Sequence, residues 1–101
     1  MKHIVITGST RGIGLAMALE FLKAGCRVTL SGRGETLPQD PAQRLQPYQE
    51  SYQYVPCNVQ IKRDLEALWE SAVRRFGAVD IWINNAGQNA PHDWIQNTDE
   101  H

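Results

Sequence analysis

"KHIVITGSTRGIGLAMALEFLKAGCRVTLSGR", residues 2–33, decides the fold. A short β-branched run (residues 3–7) stops at Gly8, and the chain passes Gly12 and Gly14 into a stretch rich in helix formers. Apolar on both faces, residues 3–7 predict a strand buried inside a parallel sheet. Residues 13–25 predict a helix that closes on Lys23 and Gly25, a cation in the last turn and a glycine stop. "RVTLS" (27–31) predicts a second strand.

Outward from there, strands and helices keep alternating. Residues 32–50 hold Pro38, Pro41 and Pro47, so any helix there is short and interrupted. Residues 52–59 predict a third strand, limited by Pro56. Residues 61–77 predict the clearest helix: Leu65, Leu68, Trp69, Ala72, Val73 and Phe76 form one continuous apolar stripe, and Arg74, Arg75 and Gly77 suit its end. Residues 78–87 predict a fourth strand followed by a polar turn. The tail, 88–101, reads as loop, with a further helix start around Asp93 or Thr98. This order predicts an α/β fold: a Rossmann-type parallel sheet with helices on both faces, reaching about four strands in one domain over residues 1–101. Trp69 and Trp82 read as packing residues.

Composition narrows the function classes. With 42% hydrophobic and 21% charged residues the chain reads as a soluble globular domain. A net charge of −1 offers no field to gather nucleic acid or an anionic membrane. Residues 4–6 are too short a run for a signal-peptide core, and no stretch approaches a membrane span. Cys26 and Cys57 sit in no close pair and read as reduced thiols of a cytoplasmic protein. His3, His92 and His101 share no metal-ligand spacing.

The glycines have a chemical use. In an α/β sheet ligands bind beyond the carboxyl ends of the strands, where the turn after the first strand lies. Gly8 permits the sharp turn, Gly12 lets backbone approach a phosphate, and Gly14 lets the helix pack tightly. The helix beginning near Ile13 aims free N–H groups and a positive dipole end at the same place. A dinucleotide site is therefore expected; no Gly-Lys-Ser/Thr follows, which disfavours a mononucleotide loop.

The turn reads Thr7-Gly8-Ser9-Thr10-Arg11-Gly12-Ile13-Gly14, with three residues between the first two glycines instead of one. In this it resembles the short-chain dehydrogenases/reductases, whose turn is Thr-Gly-x-x-x-Gly-x-Gly. Asn84-Asn85-Ala86-Gly87 resembles that family's Asn-Asn-Ala-Gly, and Cys57-Asn58-Val59 falls where the family has Asp-Val. The resemblance covers essentially the whole chain. It implies a strand order beginning 3-2-1-4 and hydride transfer between a nicotinamide cofactor and a carbonyl or alcohol substrate.

After the second strand the chain carries Ser31, Gly32 and Arg33, with no acid before Glu35. NAD-preferring enzymes place an acid there. Arg33 could instead hold a 2′-phosphate in its planar fork of donors. Arg11 stands where NADP-using members of the family resemble this chain. Together they predict NADP(H) over NAD(H), with Ser9 or Ser31 donating further hydrogen bonds to the phosphate. Asn58 departs from the family's aspartate, but its amide oxygen can accept from the adenine amino group while the Val59 N–H donates to the ring. Asn84 and Asn85, by resemblance, tie neighbouring strands together and border the nicotinamide ribose, and Asn85, Ala86 and Gly87 are expected among the cofactor-binding residues.

The family's catalytic serine and Tyr-x-x-x-Lys pair are not found: four positions after Tyr48, Tyr52 and Tyr54 stand Tyr52, Pro56 and Asn58. Three readings stay open. The chain is the amino-terminal half of an NADP-dependent oxidoreductase, or a nucleotide-binding product without catalysis, or a subunit completed by a second polypeptide. With the later strands of the family order gone, the fourth strand (Ile81, Trp82, Ile83) would be an exposed edge open to pairing.

Overall fold

A computed structural model of the chain describes residues 1–86. The described elements run β1 (His3–Ile6), α1 (Gly12–Lys23), β2 (Arg27–Gly32), α2 (Gln39–Leu45), a single 3-10 turn (Gln46–Tyr48), β3 (Tyr52–Pro56), α3 (Lys62–Phe76) and β4 (Ile81–Ile83). The four strands are parallel in the order β3-β2-β1-β4. This is the expected α/β architecture.

Both faces of β1 are covered, which is why no polar alternation marks its sequence. Ile4 and Ile6 meet Leu15, Ala18 and Leu22 of α1, Val28 and Leu30 of β2 and Leu45 of α2. Val5 meets Cys57 and, from α3, Leu68 and Ala72 on the opposite face. α1 ends in a Schellman motif, with Gly25 at φ +90, its N–H on the Leu22 carbonyl and the Cys26 N–H on the Phe21 carbonyl. In the proline-rich crossover, Pro38 stands at the N-cap of the short α2, and Pro47 is the second residue of the 3-10 turn that follows it directly.

Two expectations need correction. β3 ends at Pro56, not residue 59: Cys57 N–H still bonds the Gly32 carbonyl at 2.8 Å, and Asn58 then turns the chain. The apolar stripe of α3 is wider than the surface that covers it. Leu68 and Ala72 are buried, whereas Trp69 is 48% and Val73 38% exposed. Trp69 still stacks at a tilt on Trp82 of β4, ring centroids 6.0 Å apart, at the margin of the sheet. Among the described residues β4 forms one edge of that sheet and no helix is long and apolar enough to cross a membrane. The tail and Gly87 lie outside the described residues.

One buried polar row crosses the α3 face. His3 Nδ1 lies 3.3 Å from the Gly77 carbonyl, which can only accept, so Nε2 is the acceptor of the Thr29 hydroxyl at 2.8 Å. Thr29 Oγ1 in turn accepts from Gln53 Nε2, which also donates to the Ser71 carbonyl. A neutral imidazole satisfies this row, and burial holds the His3 pKa below its usual value.

Candidate dinucleotide site

The three glycines of the first βα turn do three different jobs. Gly8 has φ +62, and a Cβ there would lie 2.8 Å from Ala86 Cα. Gly12 has φ +59, but a Cβ on it would meet nothing within 4 Å. Gly14 is the most confined: a Cβ would fall 2.5 Å from the Gly8 carbonyl oxygen and 2.6 Å from Asn85 Nδ2. Gly14 therefore seats the helix against the turn and the end of β4, more than against the sheet.

α1 begins at Gly12 with no side-chain cap and no acid in its first turn. Its first N–H groups and the positive end of its dipole stay available to an anion beside the open side of Gly12. Ile13, 59% exposed, stands at the same mouth.

Asn85 and Ala86 stitch the end of β4 to this turn. Asn85 Nδ2 donates to the Gly8 carbonyl at 2.9 Å, and Ala86 N–H donates to Thr7 Oγ1 at 3.1 Å. Asn84 instead accepts from Trp82 Nε1 at 2.8 Å.

Ser9 and Ser31 sit differently from expectation. Both are fully buried. Ser9 Oγ donates to the Ile6 carbonyl at 2.7 Å and accepts from Ser31 N–H at 3.0 Å, while its own N–H bonds the Ser31 carbonyl. The pair clamps the turn to the end of β2, and in this conformation neither hydroxyl faces solvent. Arg11 and Arg33 are exposed, and among the described residues no carboxylate lies within ion-pair distance of either.

At β3, Asn58 Oδ1 accepts from Gln60 N–H at 3.0 Å, and the Asn58 carbonyl accepts from Ile61 N–H at 2.9 Å. The amide oxygen thus has one lone pair in the turn and one left for a ligand. Val59 is half-buried beside the Leu68 cluster. Burial pushes the Cys57 thiol up, with the neighbouring Ser31 hydroxyl acting the other way, so it stays protonated.

Four residues that motif reading passed over shape this end of the sheet. Asp64, in the first turn of α3, accepts from Asn58 N–H at 2.9 Å. Thr10 packs over Gly32, where a Cβ would lie 2.7 Å from its methyl group. Tyr54 donates its hydroxyl to the Gly34 carbonyl, one residue past Arg33. Arg44 lines a groove of about 370 Å³ with Thr10, Arg11, Gly12, Pro38 and Asp40. Only Asp64 had a visible signal, an acid in a first helical turn. The others depend on which loop comes to rest beside which strand.

This constellation of an uncapped helix after a glycine turn, locked to an Asn-Asn-Ala segment, matches one family profile. The profile of the short chain dehydrogenases spans residues 2–101. The chain belongs to the short-chain dehydrogenase family. Chlorophyll(ide) b reductase NOL, chloroplastic, of Oryza sativa subsp. japonica is 40% identical over 90 residues, covering 87% of this chain and 26% of its own. L-Sorbose reductase from Gluconobacter frateurii, solved in complex with NADPH and L-sorbose, superposes with a TM-score of 0.76 at 35% identity over 86% of this chain and 34% of that one. NADH-dependent reductase A1-R′, complexed with NAD, gives 0.72 at 34% identity over 82% and 35%. The short-chain dehydrogenase chain described here thus spans about a quarter to a third of these relatives, and its neighbours hold nicotinamide cofactors of both kinds.

Proposed function

We propose that the chain is the NADP(H)-binding part of a short-chain dehydrogenase/reductase that transfers hydride between a nicotinamide cofactor and a carbonyl or alcohol substrate. The observation that carries the reading is the pairing of an open Gly12, at an uncapped helix start, with two exposed arginines that have no carboxylate partner among the described residues. The donor set fits the cofactor. The first-turn N–H groups at Gly12 and Ile13 would hold its pyrophosphate, Arg11 and Arg33 its 2′-phosphate, and Asn58 and Val59 its adenine. Asn85, Ala86 and Gly87 would border the nicotinamide ribose. Bound, the nicotinamide supplies or accepts the hydride; this chain's part is to orient it and to keep the glycine turn rigid. Proton transfer and substrate selection are proposed for a serine and a Tyr-x-x-x-Lys pair supplied by polypeptide joined to this unit. An NADP preference points to the reductive direction in cells that keep that cofactor reduced.

Calorimetric titration of the 101-residue chain with adenosine 2′,5′-bisphosphate and with 5′-AMP tests this reading. The 2′-phosphate should tighten binding, and Arg33→Ala should remove about ten- to hundredfold of that gain, the size of one charge-assisted contact. Equal affinity for the two ligands defeats the NADP preference. Binding of neither defeats the nucleotide site.

A further inference from the structure

Arg33 projects from a segment that has little to hold it. Gly32 and Gly34 flank it, and glycines leave the backbone the widest freedom. Gly32 is anchored by the ladder, since its carbonyl accepts from Cys57 N–H at 2.8 Å and it pairs in register with Pro56. Beyond it the strand ends, and the next fixed point is the Gly34 carbonyl. That carbonyl is held by Tyr54, a side chain from the neighbouring strand.

Tyr54 is well placed for the task. It lies opposite Leu30 in the β2–β3 register, and its ring packs against the core cluster of Ile4, Ile6 and Leu30. From this base the phenol reaches over Gly32, where a Cβ would stand 3.1 Å from its oxygen. Thr10 of the glycine turn closes on the same point. Gly32 is thus a junction at which the glycine turn, the Arg33 segment and β3 meet, and a side chain there would crowd the phenol oxygen and strike the Thr10 methyl group. Burial also pushes the Tyr54 pKa above its ordinary value, so the hydroxyl remains a donor through the neutral range.

We propose that Tyr54 is a positioning residue for 2′-phosphate recognition: by holding the Gly34 carbonyl it fixes the backbone from which Arg33 reaches the cofactor. The proposal rests on the NADP reading above. Tyr54 need not touch the nucleotide. Its contribution is to restrict, before binding, a glycine-flanked segment that would otherwise lose its freedom on binding.

Tyr54→Phe keeps the ring and deletes the donor. In the 101-residue chain it should weaken adenosine 2′,5′-bisphosphate about two- to tenfold, the size of one neutral hydrogen bond, and leave 5′-AMP unchanged. In an Arg33→Ala background the same substitution should have no further effect, because its action runs through Arg33. Equal weakening of both nucleotides, or an unchanged effect without Arg33, would make Tyr54 a general stabiliser of the fold and overturn the proposal. So would no effect on either ligand, provided that the wild-type chain discriminates between them. A wild-type chain that does not discriminate overturns the NADP reading and, with it, this inference.

Discussion

Gly12 and Gly14 stand two residues apart and answer to opposite constraints. A side chain on Gly14 would strike backbone and the Asn85 amide, neither of which can yield without moving β4 or the turn. Gly14→Ala should therefore destabilise the chain by about 1–3 kcal/mol, read as a lower urea midpoint. Gly12→Ala meets no atom, only the left-handed backbone at φ +59, worth about 1–2 kcal/mol. Its larger effect should be on nucleotide affinity, because the methyl group would enter the space left for a phosphate. A Gly12→Ala chain that binds 5′-AMP as tightly as wild type would mean that the open side of the turn is not where the anion lies. The glycine spacing was fully legible in the sequence, but which glycine is tight and which is open was not. That depends on Ala86 and Asn85, more than seventy residues away along the chain.

At the scale of elements, α3 is held to the sheet by apolar packing and by the row from Gln53 through Thr29 to His3. The ionisable groups around the imidazole are Asp80, whose carboxylate accepts from His3 N–H at 2.8 Å, and Arg27, with Arg75 over the far Phe76 ring. Burial dominates and lowers the pKa of His3 in the fold. The unfolded chain, with a histidine near about 6.5, then binds more protons than the folded one as pH falls below that value. Stability should be level above neutrality, decline as pH drops from about 6.5 toward the lowered folded value, and level off again below it. Urea unfolding followed from pH 8 to pH 5 checks this, and His3→Gln should flatten the slope. A slope unchanged in that variant would assign the pH dependence elsewhere. The amphipathic period placed α3 within one residue at each end, yet it could not show that Trp69 and Val73 stay half-open. Periodicity reports which residues share a face, not how much of that face a neighbour covers.

Across the whole molecule, a net charge of −1 conceals an uneven distribution. Arg11, Arg33 and Arg44 are all exposed at the carboxyl end of the sheet, and none has a carboxylate within ion-pair distance among the described residues. Recognition of a 2′-phosphate by such exposed charges should be screened by salt. Raising sodium chloride from about 0.05 to 0.5 M, across which the Debye length shrinks severalfold, should narrow the preference for adenosine 2′,5′-bisphosphate over 5′-AMP. A preference that is indifferent to salt would point to hydrogen bonding by buried groups and count against the arginines.

The sequence by itself determined the parallel α/β sheet, the glycine turn at its carboxyl end, and the family. These are local properties: runs of apolar residues, glycine where backbone must turn, and helix formers directly after. Motif spacing carries them because strand, turn and helix N-terminus are contiguous in the chain. The tertiary structure alone decided what the polar side chains of that motif do. Ser9 and Ser31, legible as phosphate ligands, are both fully enclosed: the Ser9 hydroxyl and the Ser31 backbone clamp the first turn to β2, while the Ser31 hydroxyl has no hydrogen-bond partner among the described residues. Tyr54 and Asp64, silent in the motifs, became the groups that hold Gly34 and Asn58. The physical reason is that a hydroxyl or carboxylate is directed by whatever backbone stands within about 3 Å of it. That backbone is brought there by strand register and helix docking, not by neighbours in sequence.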